Sequence, residues 1–526
     1  MLTTALGARQ GDGHRRTTTT SRPTAHYRRA RSERTRTRSG GHAERLPQLL
    51  SHRERNTQRM VADSYVIAPP AAPRRLLRVL GLAFGVAVVV GGTVGTGILR
   101  TPGPVAGMLE SDSLIYLVWL LAGIYALTAT NVYAELASSV PLAGGPYVFV
   151  RRGLGEFPGF VSGWSDFASN MLAISYAAVA SSEFIAQLCP VLAGREHLLA
   201  AALIVLLTTV NSLGVKTGSG LQQALTLLKI VLLLGLAIAA FAFAGQSVAS
   251  VVPSRPHSPG ATLVAIVISI QLVIGTYNGY NGSCYFAEEL TDPGRNVPRS
   301  LFVGTSVVII LYLAINAALL HVLSPSQLAT STLPAADALA ILYGPSARTA
   351  VTVIAIACTL ALLHGQLLLT PRILYGMSRD RLFGRSGTYV TRAGVPLIAL
   401  WVSAVLAIAF TILGNFEVLF AIGSSLALLL DPMCAAALFA LRRREPALER
   451  PYWAIGFPWL PGLVLVVGSG LFLAYIVANP TPTLIACGLL AVAFPLFRFG
   501  RRRQVGRGVS DSSDTRAEPS SQTSPT

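Results

Sequence analysis

The chain is 526 residues long, 52% hydrophobic and 13% charged, with a formal net charge of +18. Soluble domains carry about 25% charged residues, and apolar runs near the spanning length of about 20 residues recur here from Val79 almost to the C-terminus, which excludes a soluble enzyme or binding module. The positive charge does not indicate a nucleic-acid partner, because the arginines gather in the N-terminal tail and in alternate loops.

Residues 1–73 are poor in apolar side chains and rich in Arg, Ser and Thr, and are expected to form a disordered basic cytoplasmic tail. Such a segment beside a bilayer attracts anionic lipid. Met60 offers an alternative start, from which Pro73-Arg74-Arg75 leads into the first helix, so residues 1–59 stand apart from the rest. No short apolar run with a cleavage site precedes Val79. The domain at 74–500 then reads as an all-α polytopic membrane protein of about twelve transmembrane helices, at 79–100, 113–133, 157–188, 196–214, 221–244, 262–288, 300–323, 345–376, 396–413, 416–441, 459–478 and 481–499. Basic residues follow the even-numbered spans: Arg151 and Arg152, Lys216, Arg295 and Arg299, the arginines from Arg372 to Arg392, Arg442 to Arg450, and Arg501 to Arg503. The opposite loops hold little more than Arg195 and Arg255, so the positive-inside rule places both termini in the cytoplasm. Residues 501–526, rich in Ser, Thr and Pro from about Val505, are expected to form a second disordered cytoplasmic tail. The five cysteines stand singly in or beside apolar runs without metal-ligand spacing, and read as free, packed thiols.

Two spans carry internal interruptions. Gly91-Gly92-Thr93-Val94-Gly95-Thr96-Gly97-Ile98 puts four glycines into seven residues, each costing about 1 kcal/mol against alanine inside a helix. Gly275-Thr276-Tyr277-Asn278-Gly279-Tyr280-Asn281-Gly282 repeats the pattern in the sixth span. A helix break in hydrocarbon frees backbone groups that lipid cannot satisfy, so it persists only where protein, water or a substrate supplies partners. Close helix packing through small residues is the competing reading. Gly-interrupted segments at matching places in two halves point instead to a transporter's substrate site. The half-helix beginning near Thr96 would offer N–H groups to a carboxylate, and the half-helix ending near Thr276 would offer carbonyls to an ammonium. Together they suit an α-amino acid.

Several segments resemble the amino acid–polyamine–organocation (APC) superfamily: Gly91 to Ile98, Tyr133-Ala134-Glu135-Leu136, Gly144-Gly145-Pro146-Tyr147 followed by Arg151, and Glu288-Glu289-Leu290-Thr291-Asp292-Pro293-Gly294-Arg295-Asn296-Val297-Pro298-Arg299. Arg372 to Asp380 and Arg450-Pro451-Tyr452 extend the resemblance over roughly residues 75–500. It implies an amino acid permease with a LeuT-like 5+5 inverted repeat, broken helices 1 and 6, two added helices and alternating access. It also implies that Thr93, Val94, Gly95, Thr96 and Gly97, with Gly275, Thr276, Tyr277, Asn278, Tyr280 and Asn281, form the substrate site. Gly275 departs from the family, which often carries a large aromatic gate at this place. Either the substrate is bulky or another residue closes the pocket, with Tyr277 and Tyr280 the nearest candidates.

Lys229 reads as an intramembrane cation about two turns from the cytoplasmic end of span five. It either snorkels to the interface or touches the first break, where it would couple protons or gate the site. The resemblance adds that a lysine here stands in for the sodium ion of sodium-coupled relatives. His364 in span eight could bind substrate, sense pH or serve as a hydrogen-bonded core histidine. Asp166 and Asp431 are further intramembrane acids, able to select an amino side chain or to pair with Lys229. Glu135, Glu288 and Glu289, beside arginine-bearing loops, are expected to form closing ion pairs.

The functional expectation is a secondary active transporter of amino acids or close derivatives across the cell membrane, proton-coupled. An exchanger and a non-transporting membrane sensor are the alternatives. No H-E-x-x-H, no suitably placed G-x-S-x-G and no nucleotide-binding fingerprint supports an enzyme. The expected partners are an amino acid substrate, protons and the lipid bilayer, with no nucleic acid, no cofactor, no metal and no covalent subunit at Cys189.

Overall fold

The computed structural model describes residues 75–242, 259–331 and 333–514, and the expected tail at 1–73 lies outside the described residues. Eight helical segments are long and apolar enough to cross a membrane, at the places expected for spans two, three, five, six, seven, eight, ten and eleven. The other four expected spans are shorter apolar helices, Leu82–Thr93, Glu196–Ser212, Leu397–Leu413 and Pro480–Pro495. The first of these is short because the chain breaks at Val94. The last continues beyond Pro495 to Asp514, into the stretch expected to be disordered, where Arg501 to Gln504 are good helix formers.

The helices that position the site are α1 (Leu82–Thr93), α2 (Gly97–Arg100), α3 (Pro102–Leu109), α4 (Asp112–Ser139), α5 (Pro146–Leu154), α6 (Glu156–Leu188), α7 (Glu196–Ser212), α8 (Val215–Ala242), α9 (Pro259–Tyr277), α10 (Pro293–Val322), α11 (Pro325–Thr330), α12 (Pro334–Tyr343), α13 (Ala347–Arg379), α14 (Leu397–Leu413), α15 (Phe416–Ala427) and α16 (Leu430–Arg444). Two more, α17 (Trp459–Ala478) and α18 (Pro480–Asp514), close the described chain. Helices α13 and α6 are the innermost, with 83% and 72% of their most apolar windows buried, against 22% for α17. On the outer helices apolar side chains such as Ile238, Val466 and Val477 stay more than 60% exposed, a surface suited to lipid rather than water.

The first break has a local cause. Gly91 and Gly92 weaken the end of α1, Val94 turns extended at φ −78° and ψ 102°, and helical geometry resumes at Thr96. Thr101 keeps helical angles, φ −63° and ψ −31°, so α2 runs into α3. The second break follows Tyr277, where Gly279 takes φ +115°, and a short 3-10 turn at Gly282–Phe286 continues the segment. The two breaks cross. A Cβ on Gly279 would lie 2.6 Å from the Gly92 carbonyl oxygen and 2.9 Å from the Thr93 nitrogen, so this contact requires glycine for both its conformation and its space.

A third irregularity separates α15 from α16 inside the expected tenth span. Pro432 lacks the N–H that would bond the Leu428 carbonyl, and its ring crowds that turn.

Glu135, Glu288 and Glu289 each meet an arginine, as expected of them. Glu289, fully buried at the end of the second broken segment, receives two bonds from Arg372 at 2.9 and 3.0 Å. Glu288 meets Arg379 at 3.0 Å, and Glu135 accepts from Arg442 at 2.9 and 2.5 Å with Arg450 at 3.2 Å. Just past the end of α16, Glu445 is gripped by Arg152 of α5 at 3.0 and 2.6 Å, which holds its carboxyl below the usual carboxylate range. The Glu288 and Glu289 pairs tie the chain leaving the second break to α13, and the others tie α4 and α5 to α16 and the chain just beyond it. The cysteine expectation holds for Cys284, Cys358 and Cys434, which are buried, whereas Cys189 and Cys487 are exposed.

Candidate functional site

One cavity lies where the two breaks cross. Of the expected substrate-site residues, Thr93, Gly95, Thr96, Gly97, Gly275, Thr276, Asn278 and Asn281 line it. The half-helices are also linked directly, with the hydroxyls of Thr101 and Thr276 3.0 Å apart. From α1–α2 the cavity faces a helix start at Thr96 and Gly97, and from α9 it faces a helix end at Gly275 and Thr276. The backbone polarity is therefore opposite on the two sides, donor on one and acceptor on the other.

Three expected residues do not line this cavity. Val94 has a fully buried side chain and contributes its carbonyl elsewhere. Tyr277 turns into the core against Trp119 and Tyr312, its hydroxyl 3.3 Å from the Trp119 carbonyl. Tyr280 donates to Asp431 at 2.6 Å and lines a neighbouring cavity. Neither tyrosine covers the space left at Gly275, where a Cβ would meet nothing within 4 Å. Aromatic surface reaches the cavity from Tyr176, Phe420 and Tyr285 instead, and the Tyr176 and Phe420 rings meet edge-on at 5.4 Å.

Lys229 lies against the first break. Helix α8 begins at Val215, earlier than expected, which places Lys229 about 21 Å along the axis from its start, too deep to snorkel. Its Nζ is fully buried and donates to the carbonyls of Gly91 at 2.8 Å and Val94 at 2.5 Å. Those are carbonyls at the end of α1 that the break leaves without intrahelical donors. One helical face carries Gln222, Thr226 and Lys229 toward α1, and Thr226 donates to the Ala87 carbonyl at 3.0 Å.

His364 is buried behind the cavity and does not line it. Its Nδ1 lies 2.8 Å from Gln222 Oε1, in keeping with the hydrogen-bonded core alternative. Neither Asp166 nor Asp431 pairs with Lys229. Asp431 accepts three tyrosine hydroxyls, Tyr125 and Tyr133 at 3.0 Å and Tyr280 at 2.6 Å. Asp166 lines the cavity and accepts from Tyr285 at 2.9 Å and Asn170 at 2.7 Å.

Sequence reasoning missed Tyr312. Its hydroxyl sits 3.0 Å from both the Thr93 and the Thr276 carbonyl oxygens, one from each break. It lies in α10, outside any glycine-rich signal, and its neighbours read as ordinary helix core.

The profile of the family described as "Amino acid permease" matches residues 76–494. The chain belongs to the amino acid permease family. Among its relatives is the b(0,+)-type amino acid transporter 1 of Mus musculus, 27% identical over 456 residues, covering 83% of this chain and 91% of the relative. The serine/threonine exchanger SteT of Bacillus subtilis is 26% identical over 421 residues, covering 79% of this chain and 94% of the relative. An uncharacterized transporter of Mycobacterium tuberculosis is 28% identical over 318 residues, 60% of this chain and 68% of the relative. The resemblance to the APC superfamily read from the motifs is thereby established, and this permease is a multi-pass membrane protein of amino acid transport. The motif residues fall on the ends of the spans and on the two breaks, which is where its ion pairs and its cavity lie.

Proposed function

We propose that this permease is a secondary active transporter that moves amino acids across the cell membrane by alternating access, coupled to protons. The observation carrying this reading is the cavity at the crossing of two helix breaks, lined by a helix start at Thr96 and Gly97 and by a helix end at Gly275 and Thr276. A zwitterion matches that polarity without any charged side chain, through the α-carboxylate at Thr96–Gly97 and the α-ammonium at Gly275–Thr276. Thr93, Thr276, Asn278 and Asn281 add side-chain partners. The proposed architecture has twelve spans in a LeuT-like 5+5 repeat, with both termini cytoplasmic by the charge pattern of the loops. In that orientation the Glu289–Arg372 and Glu135–Arg442 pairs hold the cytoplasmic side closed. Lys229 ties the end of α1 to α8, and loss of its proton would weaken the two carbonyl bonds and release that tie.

Exchange is the second reading, favoured by the similarity to a serine/threonine exchanger. Purified protein in liposomes separates the two. Uptake of labelled amino acid into empty liposomes, stimulated by an inward proton gradient, supports symport. Uptake only into liposomes preloaded with amino acid supports exchange. Chemical conversion of the substrate, or the absence of flux for every amino acid, would refute transport.

A further inference from the structure

The cavity contains one carboxylate whose bonding is incomplete. Asp166, on α6, has no exposed surface and uses Oδ1 for both of its side-chain donors, Tyr285 and Asn170. Oδ2 is buried and has no hydrogen-bond partner among the described residues. Among the described residues the cavity lining includes no Lys, Arg or His, and Lys229 directs its bonds to the backbone of the first break. Nearby on α13, which packs along α6, Gln366 lines the same cavity and its Oε1 also lacks a donor. A buried carboxylate with an unpaired oxygen is unfavourable unless a donor or a positive charge arrives or the group takes up a proton. The two donors on Oδ1 fix the carboxylate's orientation and leave Oδ2 for that arrival.

We propose that Asp166 is a specificity-determining residue that receives the cationic end of the substrate's side chain. The substrate class is an α-amino acid ending in an ammonium or a guanidinium, with Gln366 as a second acceptor. This deepens the transport reading and rests on it. The α-groups are held by the two helix breaks, and the side chain reaches Asp166 on another wall of the same cavity. An ammonium brings three donors and a guanidinium five, enough to serve both free acceptors, and its charge balances the carboxylate in a low-dielectric site. A side chain of the same length ending in a neutral group brings no charge to balance Asp166, one without donors leaves Oδ2 unpaired as well, and an anionic one adds repulsion.

The test uses the full chain in liposomes and compares arginine with citrulline and lysine with norleucine, pairs that match in size and differ in charge. Wild type is expected to show kcat/KM for arginine about 10- to 100-fold above that for citrulline. Asp166→Asn is expected to collapse that ratio toward unity, Asp166→Glu to retain part of it, and Gln366→Leu to lower it less than Asp166→Asn. Uptake of citrulline and norleucine without arginine or lysine would overturn the assignment while leaving transport standing. So would a ratio that Asp166→Asn does not change. Absence of flux for all four compounds would overturn the transport reading and this assignment with it.

Discussion

Gly279 and Gly275 lie four residues apart in one broken segment, and the geometry assigns opposite signs to the same substitution at each. Gly279→Ala would place a methyl group 2.6 Å from the Gly92 carbonyl oxygen and 2.9 Å from the Thr93 nitrogen, at φ +115°. The conformation alone costs roughly 1–3 kcal/mol for a residue with a Cβ. Both neighbours are backbone, so relief requires the two breaks to separate, at a further cost of about 1–3 kcal/mol. The sum, about 2–6 kcal/mol, is a large fraction of the roughly 5–15 kcal/mol that holds a domain folded. Gly275→Ala meets nothing within 4 Å and sits near the end of α9, where alanine gains about 0.5–1 kcal/mol over glycine. Thermal unfolding in detergent, with uptake measured in liposomes, should show Gly279→Ala melting well below wild type and nearly inactive. Gly275→Ala should melt at or above wild type. Equal melting temperatures for the two variants would refute the crossing of the breaks as the constraint on this segment.

Lys229→Met removes the donor from the Gly91 and Val94 carbonyls, and should abolish most uptake and flatten what pH dependence remains; an unchanged profile across pH would leave Lys229 structural. Arg372→Ala leaves the fully buried Glu289 unpaired and should destabilise by about 3–5 kcal/mol in a denaturation series, whereas the Glu289→Leu/Arg372→Leu double variant should recover most of that loss. Tyr312→Phe takes the hydroxyl from between the Thr93 and Thr276 carbonyls, and should lower stability by about 1–3 kcal/mol and raise KM more than it changes the amount of protein inserted.

Both breaks were legible in the sequence because glycine clusters and hydrocarbon are incompatible unless the backbone has partners, and that rule needs no tertiary information. The placement of Glu135, Glu288 and Glu289 beside arginines was legible for a similar reason, since acids at span ends near basic loops find each other. The third irregularity had a signal that went unused. Pro432 breaks the turn at Leu428 as surely as glycines break the first span, but the leucine run around it reads as uninterrupted helix. The directions of Tyr277 and Tyr280 were not legible. Tyr277 ends α9 and Tyr280 lies in the break beyond it, where side-chain direction follows from the path of the backbone rather than from spacing. The bridge made by Tyr312 and the free oxygen of Asp166 depend on the rotation of α10 and α6 against the breaks. Those rotations are set by packing all along the helices, and neither the apolar residues around Tyr312 nor Ser165, Ser169 and Asn170 around Asp166 reveal them.

The most direct test of the substrate site is uptake by Thr96→Trp in liposomes beside wild type. Thr96 is buried on the cavity wall at the start of the second half-helix, and an indole there occupies the place assigned to the substrate carboxylate. The variant is expected to insert and to elute as a folded protein, with uptake no higher than protein-free liposomes. Uptake at the wild-type rate would mean that the substrate passes elsewhere and that the crossing of the two breaks is not its binding site.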